Sequence, residues 1–141
     1  MNKVKVLFLC TGNSCRSQMA EGWCRHLKSE SIEAFSAGTN TLGVNKRAIK
    51  AMKESGVDIS HHKSKSVNQI SEKFFDYVFT VCGNANENCP YFPGKATIHH
   101  VGFDDPPKKA SGLTDEEEIQ NEYRKVRDEI KTFIEKIEVY F

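Results

Sequence analysis

VKVLFLCTGNSCRSQMAEGW, residues 4–23, lays out a strand, a loop and the start of a helix in direct succession. Val4 to Leu9 is almost continuously apolar, the pattern of a central strand covered on both faces. Small and polar residues follow from Cys10, and then Met19, Ala20, Trp23 and Leu27 recur at helical spacing between about Ser17 and Lys28. A loop between a strand end and a helix start is a ready anion site. Successive backbone N–H groups can point into it, and the helix dipole adds positive potential. Gly12 permits close or left-handed backbone geometry, Asn13 can pin the loop through its amide, and Thr11, Ser14 and Cys15 complete the wall. Arg16 can close over an anion with a bidentate fork. The same field favours the thiolate of Cys10, to which Ser17 can donate a hydrogen bond. The plain alternative is a cysteine that merely ends a buried strand; the glycine, asparagine, serines and strand–helix context weigh against it.

Working outward, Glu33 to Ala37 reads as a second strand ending at Gly38. Asn45 opens a helix through Met52, with Ala48, Ile49 and Met52 on one face and Gly56 as its stop. Tyr77 to Val81 reads as a third strand. A Gly/Asn/Pro-rich stretch follows from Gly83 to Gly94, then a short strand around Ala96 to His100. Pro106 to Gly112 is expected to be loop. Thr114 with Glu117 suggests a capping box for a last long helix, whose stripe is Ile119, Tyr123, Val126, Ile130, Ile134 and Ile137. Strand–helix alternation over residues 1–141, with no repeat or linker, implies one α/β domain: a central four-stranded, mostly parallel sheet flanked by helices on both faces. Ligands of such sheets sit beyond the carboxyl ends of the strands, where Cys10 and Cys82 both fall.

Composition narrows the function classes. Twenty basic and 19 acidic residues give a formal charge of +1, which favours neither nucleic acid nor a charged membrane as partner. No apolar run is long enough to span a bilayer. The apolar run after Lys3 and Lys5 is too short for a secretory segment, and bulky Leu9 precedes Cys10 where a lipidation site needs a small residue. Five cysteines without a signal suit a cytoplasmic protein with reduced, chemically active thiols.

Cys10-Thr11-Gly12-Asn13-Ser14-Cys15-Arg16-Ser17 resembles the signature loop of the low-molecular-weight protein tyrosine phosphatase fold, and Phe103-Asp104-Asp105-Pro106 resembles its acidic mobile loop. The resemblance implies that Asp105 protonates a leaving oxygen. Tyrosines typically follow Asp-Pro in the eukaryotic phosphatases, but Pro107-Lys108-Lys109 follow here, so the aromatic rim for an aryl phosphate is missing. Val81-Cys82-Gly83-Asn84-Ala85-Asn86-Glu87-Asn88-Cys89-Pro90 instead resembles the redox loop of the thioredoxin-coupled arsenate reductases, which share that fold. Phe35 to Gly38, Gly43-Val44-Asn45 and Val126 to Ile130 match the same family.

That second resemblance implies a relay. Cys10 attacks arsenate, Cys82 attacks Cys10, Cys89 attacks Cys82, and thioredoxin reduces the final disulfide. It implies arsenate as substrate and thioredoxin as partner; no bound cofactor and a monomer are expected. Cys82 and Cys89 could otherwise be a structural pair or zinc ligands with His99 and His100, but their spacing is not that of a zinc knuckle, so no metal is expected. Some relatives hold potassium beside the loop. Here Lys63 and Lys65 stand where threonine and aspartate would help, which argues against that site: either a lysine ammonium replaces the ion near Glu21 or Asn13, or both lysines are simply solvated. Cys15 is expected to pack the loop, and Cys24 to be a core or surface thiol. Val101 stands where relatives often carry tryptophan. Two other functions stay open from sequence: a phosphatase acting on phosphoprotein or small phosphomonoesters, and a non-enzymatic oxyanion-binding redox sensor.

Overall fold

The computed structural model describes residues 3–72, 74–81 and 96–141. Four strands, β1 (Val4–Leu9), β2 (Ile32–Ala37), β3 (Tyr77–Thr80) and β4 (Thr97–His100), form one sheet in the order β2-β1-β3-β4, with every pairing parallel. The registers Leu9↔Ala37, Leu9↔Thr80 and Thr80↔His100 align the carboxyl ends of all four strands along one edge.

Alternation along β1 sorts its side chains between two cores. Val6 and Phe8 face helices α1 (Arg16–Lys28), α2 (Lys46–Glu54) and α4 (Glu116–Glu135), among Met19, Trp23, Met52, Phe79, Val126, Ile130 and Ile134. Leu7 and Leu9 face the other way, against Ile70, Phe75 and Val78, under the 3₁₀ turn Val67–Gln69. The first core is locked by Trp23, whose indole N–H donates to the Arg127 carbonyl at 3.1 Å and ties α1 to α4. The edge strand β4 is mostly exposed, as its mixed sequence Thr-Ile-His-His allows.

Several boundaries differ from the sequence expectation. Asn45 caps α2 as expected, accepting from the backbone N–H groups of Arg47 and Ala48, and Gly56 follows with φ of 83°. The last helix begins one residue later than a Thr114 cap requires: Asp115 is its N-cap, accepting from the Glu118 N–H at 3.0 Å. Ile137 lies in a closing 3₁₀ turn, Ile137–Tyr140, still fully buried. Pro106–Lys109 is a short helix, α3, rather than loop, because proline at a first helical position loses no hydrogen bond the helix needs. On α1 the buried stripe runs through Met19, Ala20, Trp23 and Cys24, while Leu27, in the last turn, is 37% exposed.

Candidate active site

Residues 10–16 join the end of β1 to the first residue of α1, and the surrounding chain turns this loop inside out. Thr11 O accepts from the N–H groups of Thr39 and Asn40, Gly12 O from Leu42 N–H, and Ser14 O from Asn45 N–H, at 3.0–3.2 Å. The Ser64 hydroxyl lies within bonding distance of Gly12 O and Asn13 O, at 2.9 and 2.7 Å. Across a planar trans peptide the N–H points opposite to the C=O. Carbonyls of residues 11–14 held outward therefore turn the amides of residues 12–15 inward, the nest that the sequence suggests. Asn13 takes the left-handed conformation this needs, with φ of 45°. Gly38 lies directly beneath: a Cβ there would meet Cys10 O and Thr11 O at 2.6 Å.

A buried polar cluster fixes the loop's side chains. The Lys65 backbone N–H, which can only donate, meets Asn13 Oδ1 at 2.7 Å, so the Asn13 amide nitrogen must face Ser17, 2.8 Å from its Oγ. Ser17 Oγ accepts there, which leaves its own hydrogen for another acceptor. Gln18, fully buried, donates from Nε2 toward Asn13 Oδ1 and receives the Nδ1–H of His62 on Oε1 at 2.9 Å. Burial holds His62 below its ordinary 6.5, outweighing the pull of Glu21. Glu21 is itself buried, accepts from the Ser36 hydroxyl at 2.5 Å, and lies 3.2 Å from Arg25 and 3.7 Å from the Lys65 ammonium. Of the two lysines singled out in the sequence, Lys65 thus reaches Glu21, while the Lys63 residue is exposed and contributes its backbone carbonyl to Gln18 Nε2 and Lys65 Nζ.

Cys10 is buried at the tip of β1, with Arg16 starting the helix opposite. Arg16 Nη1 donates to Phe103 O at 3.0 Å, and Nη2 stands 3.8 Å from Asp105 Oδ1. Asp105 precedes α3, and Arg16 ties this acidic segment to the loop across the cavity that both line. Cys10, Thr11, Gly12, Ser14, Cys15, Arg16 and Asp105 line one cavity of about 360 Å³, joined by Leu42 and Pro107. Buried in that wall, Cys15 has its thiol driven well above the ordinary range by desolvation and by nearby Cys10 and Asp105, which makes it a neutral packing group. Cys24 is a core thiol, pushed up to about 12 chiefly by burial.

Cys82, Cys89 and the Gly83–Gly94 stretch lie outside the described residues. Among the described residues no group of three or more His, Cys, Asp or Glu could hold a metal ion. His99 packs against Phe79 and Tyr140, and His100 Nδ1 pairs with the Thr80 hydroxyl at 2.8 Å. Sequence reasoning missed Gln18, His62, Ser64 and Leu42. Gln18 adjoins the loop motif but carries no chemistry of its own there, Ser64 and His62 approach from a segment with no local motif, and Leu42 had one signal, an apolar residue isolated among Thr and Gly.

The family model for low molecular weight phosphotyrosine protein phosphatase matches residues 5–139. Arsenate reductase 1 of Staphylococcus saprophyticus is 45% identical over 139 residues, 99% of each chain. An arsenate reductase solved in its phosphate binding state superposes with a TM-score of 0.77 at 30% identity, covering 95% of each chain. The thioredoxin-dependent arsenate reductase of Corynebacterium glutamicum gives 0.65 at 26% identity, over 99% of this chain and 64% of that one. With the family model covering residues 5–139 and a relative 45% identical along its whole length, the chain belongs to the low molecular weight phosphotyrosine protein phosphatase family.

Proposed function

We propose that this protein reduces arsenate to arsenite with thiols as the electron source and thioredoxin as the final reductant. The observation that carries this is the joining of an anion nest, Cys10 and Asp105 in one cavity, in a chain nearly half identical to an arsenate reductase along its whole length. Three arsenate oxygens lie in the inward amides and the Arg16 fork, leaving the fourth pointed away from Cys10 toward Asp105. The Cys10 thiolate attacks arsenic, and the departing oxygen takes a proton from Asp105 and leaves as water. Cys82 then attacks Cys10 Sγ. The S–As electron pair stays on arsenic, taking it from the pentavalent to the trivalent state and releasing arsenite. Cys89 attacks Cys82, frees Cys10 as thiolate, and leaves a Cys82–Cys89 disulfide for thioredoxin. Reduced thiols of this kind suit the cytoplasm, and no helix among the described residues is long and apolar enough to cross a membrane.

The Lys65 ammonium beside Glu21 takes the place of a bound cation, so turnover is expected to be equal in potassium and sodium at matched ionic strength. A several-fold rise specific to potassium would contradict this. The main test is arsenate-dependent NADPH consumption with thioredoxin and its reductase, lost in Cys10→Ser, Cys82→Ser and Cys89→Ser. Full thioredoxin-linked turnover in the Cys82 and Cys89 variants would refute the relay. The alternative, phosphomonoester hydrolysis on the same loop, needs Cys10, Arg16 and Asp105 but neither distal cysteine.

A further inference from the structure

The reduction chemistry leaves unused a contact behind the oxyanion loop, where the start of α2 meets α4. Asn45 does three things there at once. Its backbone N–H donates to Ser14 O at 3.0 Å, and its Oδ1 accepts from the N–H groups of Arg47 and Ala48 at 2.8 and 3.1 Å. Backbone nitrogens can only donate, so Oδ1 is fixed on α2 and the amide nitrogen must face the other way. It donates to the hydroxyl of Tyr123 on α4, 3.3 Å away.

Tyr123 is buried, with 3% of its surface exposed. Burial holds its phenol above the ordinary range, outweighing the Asn45 donor, and Cys15 and Asp105 push the same way. The hydroxyl therefore stays neutral and serves as an acceptor. What it steadies lies one bond further on. The peptide joining Ser14 to Cys15 is the junction between the nest and α1, and Asn45 holds its carbonyl outward. The peptide is planar, so the same hold turns the Cys15 N–H inward. That amide belongs to the field that receives an oxyanion and favours the Cys10 thiolate.

We propose that Tyr123 is a positioning residue for the oxyanion loop: through the Asn45 side chain it fixes the Ser14–Cys15 peptide, and so tunes both the anion affinity of the nest and the acidity of Cys10. This role deepens the reductase reading and rests on it, since arsenate is the anion so held. Phenylalanine at residue 123 would fill the same core but leave the Asn45 amide nitrogen without its acceptor. Gln120, one turn earlier on α4 and 1% exposed, separates this role from helix packing. It donates to Arg47 O at 2.9 Å, tying the same two helices through a carbonyl that takes no part in holding Ser14.

Tyr123→Phe, Asn45→Ser, the double variant and Gln120→Met are compared with the natural chain. Inorganic phosphate binding is followed by calorimetry and stability by thermal melting. The Cys10 thiolate is titrated by its ultraviolet absorbance, as the difference from the matching Cys10→Ser chain. Tyr123→Phe is expected to weaken phosphate binding about threefold and to raise the thiolate midpoint by about half a pH unit, the worth of one uncharged hydrogen bond. Asn45→Ser keeps a capping oxygen but offers Tyr123 no amide, and should do the same. The double variant should be no worse than either single one, because the two side chains act as a pair. Gln120→Met should lower the melting temperature and move neither the phosphate affinity nor the midpoint. Unchanged phosphate affinity and midpoint in Tyr123→Phe, additive losses in the double variant, or an equal loss in Gln120→Met would overturn the role. If the natural chain shows no arsenate-dependent NADPH consumption, the reductase reading fails instead. Phosphate binding and the thiolate titration then still decide the role of Tyr123, because neither needs turnover.

Discussion

The floor and the roof of the cavity are built on opposite plans. In the floor, the carbonyls of residues 11–14 all have partners outside the loop, and the Asn13 amide is oriented by a backbone donor that cannot reverse. In the roof, the Asp105 side chain is 31% exposed just before a four-residue helix and stands 3.8 Å from Arg16 of the floor. A tetrahedral anion needs donors fixed before it arrives, because reorganisation at the moment of reaction costs rate. A proton donor instead has to change charge and move during each cycle. Under the proposed reduction, rigidity below and adjustability above fall to the residues whose chemistry asks for them.

Removing Arg16 should break this division most severely, since its guanidinium lines the cavity and pairs with both Phe103 O and Asp105 of the roof. Arg16→Lys is expected to lower kcat/KM for arsenate by roughly a thousandfold, because a lysine cannot fork around two oxygens. Phosphate binding followed by calorimetry should weaken in parallel; a kinetic loss without a binding loss would show that the arginine acts only on the roof.

Asp105→Asn should separate the layers. Its kcat is expected to fall by about a hundredfold, the usual worth of a positioned acid. Phosphate should bind no more weakly than before, because the carboxylate competes with an incoming anion for Arg16. Weaker phosphate binding in this variant would make Asp105 part of the floor.

Gln18→Glu probes the floor from behind, placing a carboxylate against Asn13 Oδ1 where the amide nitrogen now donates. Roughly a tenfold loss in kcat/KM and about 2–3 kcal/mol of stability are expected, from an acceptor set against an acceptor in a buried site. The thiolate absorbance of Cys10 should appear at higher pH than in the natural chain. If stability falls while that titration stays put, Gln18 supports the fold and not the thiolate.

The smallest effect concerns His62. Its folded-state value lies below 6.5, so the unfolded chain takes up the proton first. Its contribution to stability is complete above about 6.5 and declines as pH falls through the window between 6.5 and the folded value. Between pH 7 and pH 5 the Tm of the natural chain should drop about 2 °C more than that of His62→Gln.

Much of the floor and the sheet could be read from the chain because their signals are local. An apolar run, a glycine, an asparagine and a helix start follow one another within residues 4–23, and the physics of an anion nest needs little else. Asn45 and Gly56 punctuate α2 for equally local reasons. What escaped depends on distant pairing. Ser64 reaches the loop from 52 residues beyond Gly12, and its own neighbourhood of histidines and lysines looks like solvated surface. His62 is recruited by Gln18 across 44 residues. The helix after Asp105 was hidden because two adjacent prolines usually mark loop, and at the first turn of a helix that rule inverts.

The clamp of residues 39–45 has a consequence for time rather than shape. From its sequence and its exposed Leu42 it is an ordinary surface connection, whose amides should trade hydrogen for deuterium almost at once. Yet the N–H groups of Thr39, Asn40, Leu42 and Asn45 hold the carbonyls of Thr11, Gly12 and Ser14 outward. Their exchange can proceed only as often as the anion nest itself comes apart. Four slow amides in a stretch that looks fast would serve as a built-in clock for the opening of the cavity floor.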